Sequence, residues 1–178
     1  MKNLPVSPAV YFEKFDTSPI FIKPFDPQSR VVAAECLSEL NSLLDGFEVE
    51  LCLRGSTAFG IAGKGDIDLG IYCRRIDWES VLARLIDRFG DPGNLEQDYA
   101  RFEYRCKSSE IEIILLKGYA AKVDRCLTAY LASHFELLHT YEKIKLEHSK
   151  SKREYQIEKD RFLRAVIEMI PDEEEQGQ

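Results

Sequence analysis

Between Leu53 and Cys73 the chain reads LRGSTAFGIAGKGDIDLGIYC, with five glycines and two aspartates one residue apart. The alternating run FEVELCLR leads into it, and DIDLGIYC leaves it as a second strand-like segment. In an extended strand Asp66 and Asp68 share one face, opposite Ile67, Leu69 and Ile71, with Cα atoms about 7 Å apart. Two carboxylates at that spacing repel by about 2 kcal/mol at an effective dielectric near 20. A solvated edge strand tolerates this, with the glycines forming an ordinary turn. A strand packed inside an α/β layer tolerates it poorly unless a divalent cation lies between the carboxylates, and hard oxygen ligands suit Mg²⁺ or Mn²⁺.

The glycines sharpen the second reading. Gly55–Ser56 follows the first strand directly, so backbone N–H groups and the Ser56 hydroxyl can converge on an anion if a helical turn begins there. Gly55, lacking a Cβ, lets phosphate oxygens approach the backbone. The loop is neither a Walker A sequence nor a dinucleotide fingerprint, since it runs into a strand. Lys64, just before the aspartates, can neutralise phosphate charge or remain a solvated loop lysine. Arg54 either adds charge to the same place or points to solvent. A third carboxylate comes from SSEIEIILL, where Glu110 and Glu112 share a face. Glu112 lies deeper in the strand and suits a metal ligand or a base, whereas Glu110 near the turn faces solvent.

The formal net charge of −7 disfavours extensive nucleic-acid binding through a basic surface. Eight of the Lys and Arg residues nevertheless fall between Lys143 and Arg164, which leaves room for a local anion site. There, Lys145 and Lys159 lie four residues after Tyr141 and Tyr155, each pair on one helix face. Turned toward a cleft, they offer two cations and two rings to a nucleotide; turned to solvent, they are routine i,i+4 pairs. His134, His139 and His148 are too irregularly spaced for a local metal cluster. The five scattered cysteines contain no C-x-x-C pair and read as small hydrophobes in a reducing cytoplasm. No secretory h-region and no apolar run of membrane-spanning length occurs.

Along the chain, a proline- and aromatic-rich N-terminal arm or edge strand precedes a helix opened by Pro27 and stopped by Gly46. After the two strands, WESVLARLIDRFG predicts an amphipathic helix, and ARFEYRCKSSEIEIILLKG predicts a hairpin around Lys107–Ser108–Ser109. Two helices, Ala120–His148 and Lys152–Ile170, then complete a single domain. Its α+β core spans residues 20–118, the C-terminal helical pair packs on it over 119–170, and an acidic tail frays over 171–178.

Taken together, Gly55-Ser56, Asp66-Ile67-Asp68-Leu69 and Glu112 resemble the signature of the polymerase-β-like nucleotidyltransferase superfamily. Within it, GSTAFGIAGKGDIDL and the tail residues Tyr141, Ile144-Lys145, Tyr155, Lys159 and Phe162 look most like the GrpB-like (UPF0157) proteins. The loop lacks the proline that those proteins carry near Phe59, and they often have an apolar residue where Asp66 stands. The resemblance implies a mixed β-sheet flanked by helices. It also implies transfer of a nucleoside monophosphate from an NTP, most readily ATP, to the hydroxyl of an unspecified acceptor. Asp66 and Asp68 would hold the Mg²⁺ that binds the triphosphate, and with Glu112 a second one; Gly55 and Ser56 would cradle the phosphates. A nucleotide-binding or regulatory module without turnover is the alternative on the same fold.

Overall fold

The computed structural model describes residues 9–171, so the first eight residues of the expected N-terminal arm and the expected acidic tail after Pro171 lie outside the described residues. The chain forms two compact units, one from Pro24 to Lys122, the other from the residues up to Lys23 with those from Val123 onward.

The Pro24–Lys122 unit is built on strands β1 (Val49–Arg54), β2 (Ile67–Cys73), β3 (Asn94–Glu96), β4 (Tyr99–Cys106) and β5 (Ser109–Lys117). They form one sheet in the order β1-β2-β5-β4-β3. The β2–β5 pair is parallel and the other three are antiparallel. The parallel pair needs a crossover, and helix α4 (Trp78–Phe89) lies within it. Alternation along each strand sorts side chains to two faces. Ile67, Leu69, Ile71, Ile111, Ile113, Leu115, Ala100 and Phe102 fill one face and pack with Ala33, Cys36 and Leu40 of α2 (Gln28–Leu43) and Trp78, Val81 and Leu85 of α4. Each such aliphatic or aromatic burial contributes about 1.5–3 kcal/mol.

The hairpin turn is tighter than its sequence suggests: Cys106 pairs with Ser109 across the two-residue loop Lys107–Ser108. Lys107 takes a left-handed φ of 56°, uncommon without glycine, and its ammonium pairs with Glu35 of α2. Strand β3 was not legible; three exposed residues pair with β4 at the sheet edge and leave no alternation to read.

The helices after β5 correct the expected boundaries. The single helix expected over Ala120–His148 is two, α5 (Gly118–Ala132) and α6 (Phe135–Glu147), followed by α7 (Lys152–Met169). The break is local chemistry. Ser133 Oγ donates to the Tyr130 carbonyl at 2.9 Å, His134 Nδ1 lies 2.7 Å from the same oxygen, and the His134 ring stacks on Tyr130 at 4.0 Å. Side chains that capture a backbone carbonyl compete with continuation of the helix. The three histidines therefore do not share one helix: His134 precedes α6, His139 lies on it, and His148 ends it.

Instead of an edge strand, the N-terminal arm contains a short helix, α1 (Ala9–Glu13), and an extended stretch tied to the start of α7. Lys152 and Arg153 N–H groups donate to the carbonyls of Ser18 and Asp16 at 2.8 and 3.0 Å. The Arg153 guanidinium reaches the carbonyls of Phe15 and Glu13 at 2.9 and 3.2 Å. Between α6 and α7, Tyr141 and Phe162 stack at 5.3 Å and 6°. The Lys145 ammonium stands 4.9 Å over the Tyr141 ring. Among the described residues no helix is long and apolar enough to cross a membrane.

Two outcomes follow from the core. Ile113→Ala removes most of a fully buried side chain and is expected to lower unfolding free energy by about 2–5 kcal/mol, read by urea titration. Burial pushes the Cys73 thiol up to about 11, and burial likewise raises Cys36. A thiol-disulfide reagent at about pH 8 should therefore spare both in the native chain and reach them on unfolding.

Candidate active site

The sheet face opposite the α2–α4 core is apolar at one end and charged at the other. Tyr72, Ile114, Leu116 and Ala121 form a small buried cluster, with Cys52, Tyr99 and Ala120 against it. Alternation then brings Arg54, Asp68, Glu112 and Glu103 to the same face, and register puts them in line: Arg54 pairs with Asp68, Asp68 with Glu112, and Glu112 with Glu103. Neighbouring strands lie about 4.8 Å apart, so the Asp68 and Glu112 backbones are as close as a sheet permits. The two carboxylates come from sequence positions far apart, and the parallel β2–β5 ladder alone makes them neighbours.

β1 leads directly into a one-turn helix, α3 (Gly55–Phe59), capped at its C-terminus by Gly60 in the left-handed conformation. Gly55 has a φ of +62°, and a Cβ placed on it would lie 1.8 Å from Asp68 Oδ2. The glycine is therefore required twice over, by its backbone angle and by the carboxylate that occupies the space a side chain would take. Ser56 follows in the first turn, partly buried. The far end of α3 is held by Arg30 of α2, whose Nε and Nη2 donate to the carbonyls of Thr57 and Ala58 at 3.2 and 2.9 Å. A cation at the C-terminus complements the helix and satisfies carbonyls that lack helical partners. What the sequence offered as an ordinary turn is a braced one.

Asp66 sits one residue before β2 begins. Its Oδ2 pairs with Lys64 Nζ at 2.6 Å, so the loop lysine neutralises the first aspartate. Glu110 is bound to Arg105 at 3.0 Å and its side chain is 70% exposed, which leaves Glu112 as the inward carboxylate of β5. Glu112 in turn meets Arg101, Nη1 to Oε2 at 3.5 Å, while Arg101 Nη2 meets Glu103 Oε1 at 3.3 Å. Gly70 makes room on this face: a Cβ there would lie 2.5 Å from Arg54 Cδ and 2.7 Å from Cys52 Sγ. Arg54 thus lies over the sheet beside Asp68.

Asp68, Glu112 and Gly55 are brought together, with Ser56 next in the chain. Asp66 stands at the edge in its pair with Lys64. Tyr141, Lys145 and Tyr155 are buried within the helical unit and Lys159 is half-buried there. Among the described residues no three His, Cys, Asp or Glu side chains form a group ready to hold a metal. The donor types still suit a hard divalent ion, since Asp68 and Glu112 hold in-register positions on one sheet face, with the Asp68 carboxylate against Gly55. Three participants escaped the sequence reading. Arg101 and Glu103 were legible in the alternation of YARFEYRC, which places them on one face. Arg30 carried no such signal, because its role depends on where α2 lies against α3.

The architecture is a mixed α+β fold, a five-stranded mixed sheet with helices. It is similar to the crystal structure of the conserved protein GrpB from Enterococcus faecalis, with 15% identity over 84% of this chain and 96% of that one, and a TM-score of 0.66. The fold implied by the loop and tail residues is thereby borne out. Cid1 in complex with its short product ApU is more distantly similar, at 15% identity, 77% of this chain and 42% of that one, with a TM-score of 0.48. The ternary gap complex of Leishmania infantum polymerase beta gives 11%, 81% and 54%, with 0.44. No protein-family profile and no curated sequence matches the chain.

The close approach at Gly55 gives a non-additivity to measure. Gly55→Ala should cost about 1–2 kcal/mol from the left-handed backbone alone, and more from the collision with Asp68. In an Asp68→Ala background only the backbone part remains, so urea denaturation of the four proteins should yield a coupling of about 1 kcal/mol or more.

Proposed function

We propose that the chain is a metal-dependent nucleotidyltransferase, moving a nucleoside monophosphate from an NTP, with ATP the first candidate, to a hydroxyl of an acceptor. The observation that carries this reading is the in-register pair Asp68–Glu112 set against the side-chain-free turn at Gly55. Asp68 and Glu112, with Asp66 at the edge, would hold Mg²⁺ or Mn²⁺. Bound there, the ion supplies the positive charge that a triphosphate and its departing pyrophosphate require. Gly55 and Ser56 would meet the phosphates through backbone N–H groups and the hydroxyl, and Lys64 would turn from Asp66 to phosphate when nucleotide arrives. In the transfer, the acceptor oxygen bonds to the α-phosphorus and the bond to the bridging oxygen breaks. Pyrophosphate then leaves, and the hydroxyl proton passes to Glu112 as base.

A second reading, a nucleotide-binding module without turnover, draws support from one feature. Lys64 already neutralises Asp66, and Arg101 already meets Glu112.

Thermal shift with an NTP panel, with and without Mg²⁺ or Mn²⁺, tests the shared part of both readings. At a hundred times the dissociation constant, ligand stabilises by about 2.7 kcal/mol, so a metal-dependent rise in Tm is expected. Asp66→Ala/Asp68→Ala should abolish it. Pyrophosphate release, absent in the double variant, separates enzyme from module. Nucleotide-induced shifts that ignore metal and survive the double substitution would sink the metal site.

A further inference from the structure

The core face of the sheet ends on a thiol. Alternation along β4 puts Ala100, Phe102, Tyr104 and Cys106 on the face that α2 and α4 cover, with Cys106 the last residue before the hairpin turn. From α2, Cys36 enters the same core beside Ala33 and Leu40 and is fully buried. The Cys36 sulfur hydrogen-bonds with the Cys106 sulfur and with the Tyr104 hydroxyl. Neighbours in the chain hold this contact from outside: Glu35, before Cys36, pairs with Lys107, after Cys106. Phe89 of α4 packs on the Tyr104 ring at 4.7 Å between centroids. Space filling alone does not call for a second sulfur within hydrogen-bonding reach.

The two sulfurs differ in access. Cys106 is half-buried at the rim of the core, whereas nothing of Cys36 reaches water. Burial, with the Cys106 sulfur and Glu39 beside it, keeps Cys36 protonated. A dissolved oxidant therefore meets Cys106 first, and Cys36 is reached only through it. The helix that carries Cys36 also carries Arg30, which holds the carbonyls of Thr57 and Ala58 at the end of α3.

We propose that Cys36 and Cys106 form an oxidation site, a thiol pair that hydrogen peroxide converts to a disulfide tying α2 to the end of β4. In the first step the Cys106 sulfur attacks one peroxide oxygen, the O–O bond breaks, water leaves, and a sulfenic acid remains on Cys106. In the second the Cys36 sulfur attacks that sulfenic sulfur. The S–S bond forms as the S–O bond breaks, and the hydroxide leaves as water with the Cys36 proton. Two electrons pass from the two thiols to the peroxide, and a dithiol reductant returns them. The bond fastens α2, and through Arg30 the α3 turn, to the hairpin end of β4.

Peptide mapping tests the pair. The full chain is reduced, freed of reductant, treated with hydrogen peroxide and quenched with catalase, then alkylated in urea and digested for mass spectrometry. Of the five thiols, two should disappear. One peptide pair, linked through Cys36 and Cys106 and two hydrogens lighter, should account for them, and dithiothreitol should restore all five. The oxidised chain should keep its circular dichroism and unfold at a higher urea midpoint than the reduced chain. Cys106→Ser should lose the linkage and leave Cys36 alkylated. Cys36→Ala should leave Cys106 as a sulfenic acid that dimedone traps; if that variant does not fold, the map of the native chain decides alone. Five thiols after peroxide, a linkage through any other pair, or a sulfenic Cys106 beside an alkylated Cys36 in the native chain would each overturn the site. So would a linkage that forms only when peroxide is added in urea, since the fold would then have no part in it.

Discussion

The parallel pairing of β2 with β5 is the interaction on which the rest depends. On one face it aligns Ile67, Leu69 and Ile71 with Ile111, Ile113 and Leu115, the middle of the core that α2 and α4 cover. On the other it aligns Asp68 with Glu112. A slip of one residue in either strand would put its carboxylate into the core and expose its isoleucines. The hydrophobic effect thus fixes the position of the charged groups, and the in-register placing of Asp68 beside Glu112 is tolerated because the opposite face enforces it. Arg54 and Arg101, flanking the pair on β1 and β4, moderate that cost.

Support for the turn comes from the same economy of parts. Gly55 yields its side-chain space to Asp68, and Gly70 yields its space to Arg54 and Cys52. Arg30 supplies the two hydrogen bonds that finish α3. None of these contributions is large alone; a hydrogen bond from a charged donor contributes about 1.5–3 kcal/mol. Their combined effect is to leave the start of α3 open to the charged face while its end is fastened to α2.

Much of this was legible in the sequence because strand alternation is a strict rule. The paired carboxylates, the preference for Glu112 over Glu110, and the α+β class all come from a period of two and the residues flanking it. The single-helix expectation over Ala120–His148 failed because periodicity reports which face is apolar and not whether the helix is continuous. Ser133 and His134 interrupt it by capturing the Tyr130 carbonyl, a local event without a periodic signature. Asp66 was placed in the strand with Asp68, yet β2 starts one residue later, where its ion pair with Lys64 is made in the loop. Arg30 was out of reach for a different reason: a side chain that acts across two elements leaves its evidence in neither.

Gly70 bears on how sequences of this kind are compared. It lies outside the loop motif and outside the carboxylates, and reads as a weak spot in a strand. Any side chain there would press on the Arg54 stem and lift it from beside Asp68. A relative could therefore keep every residue of the G-S and D-h-D pattern and still have lost the charge balance around it. Inheritance of the motif and inheritance of the working arrangement are separate matters on this sheet, and the glycine two residues past Asp68 is where they part.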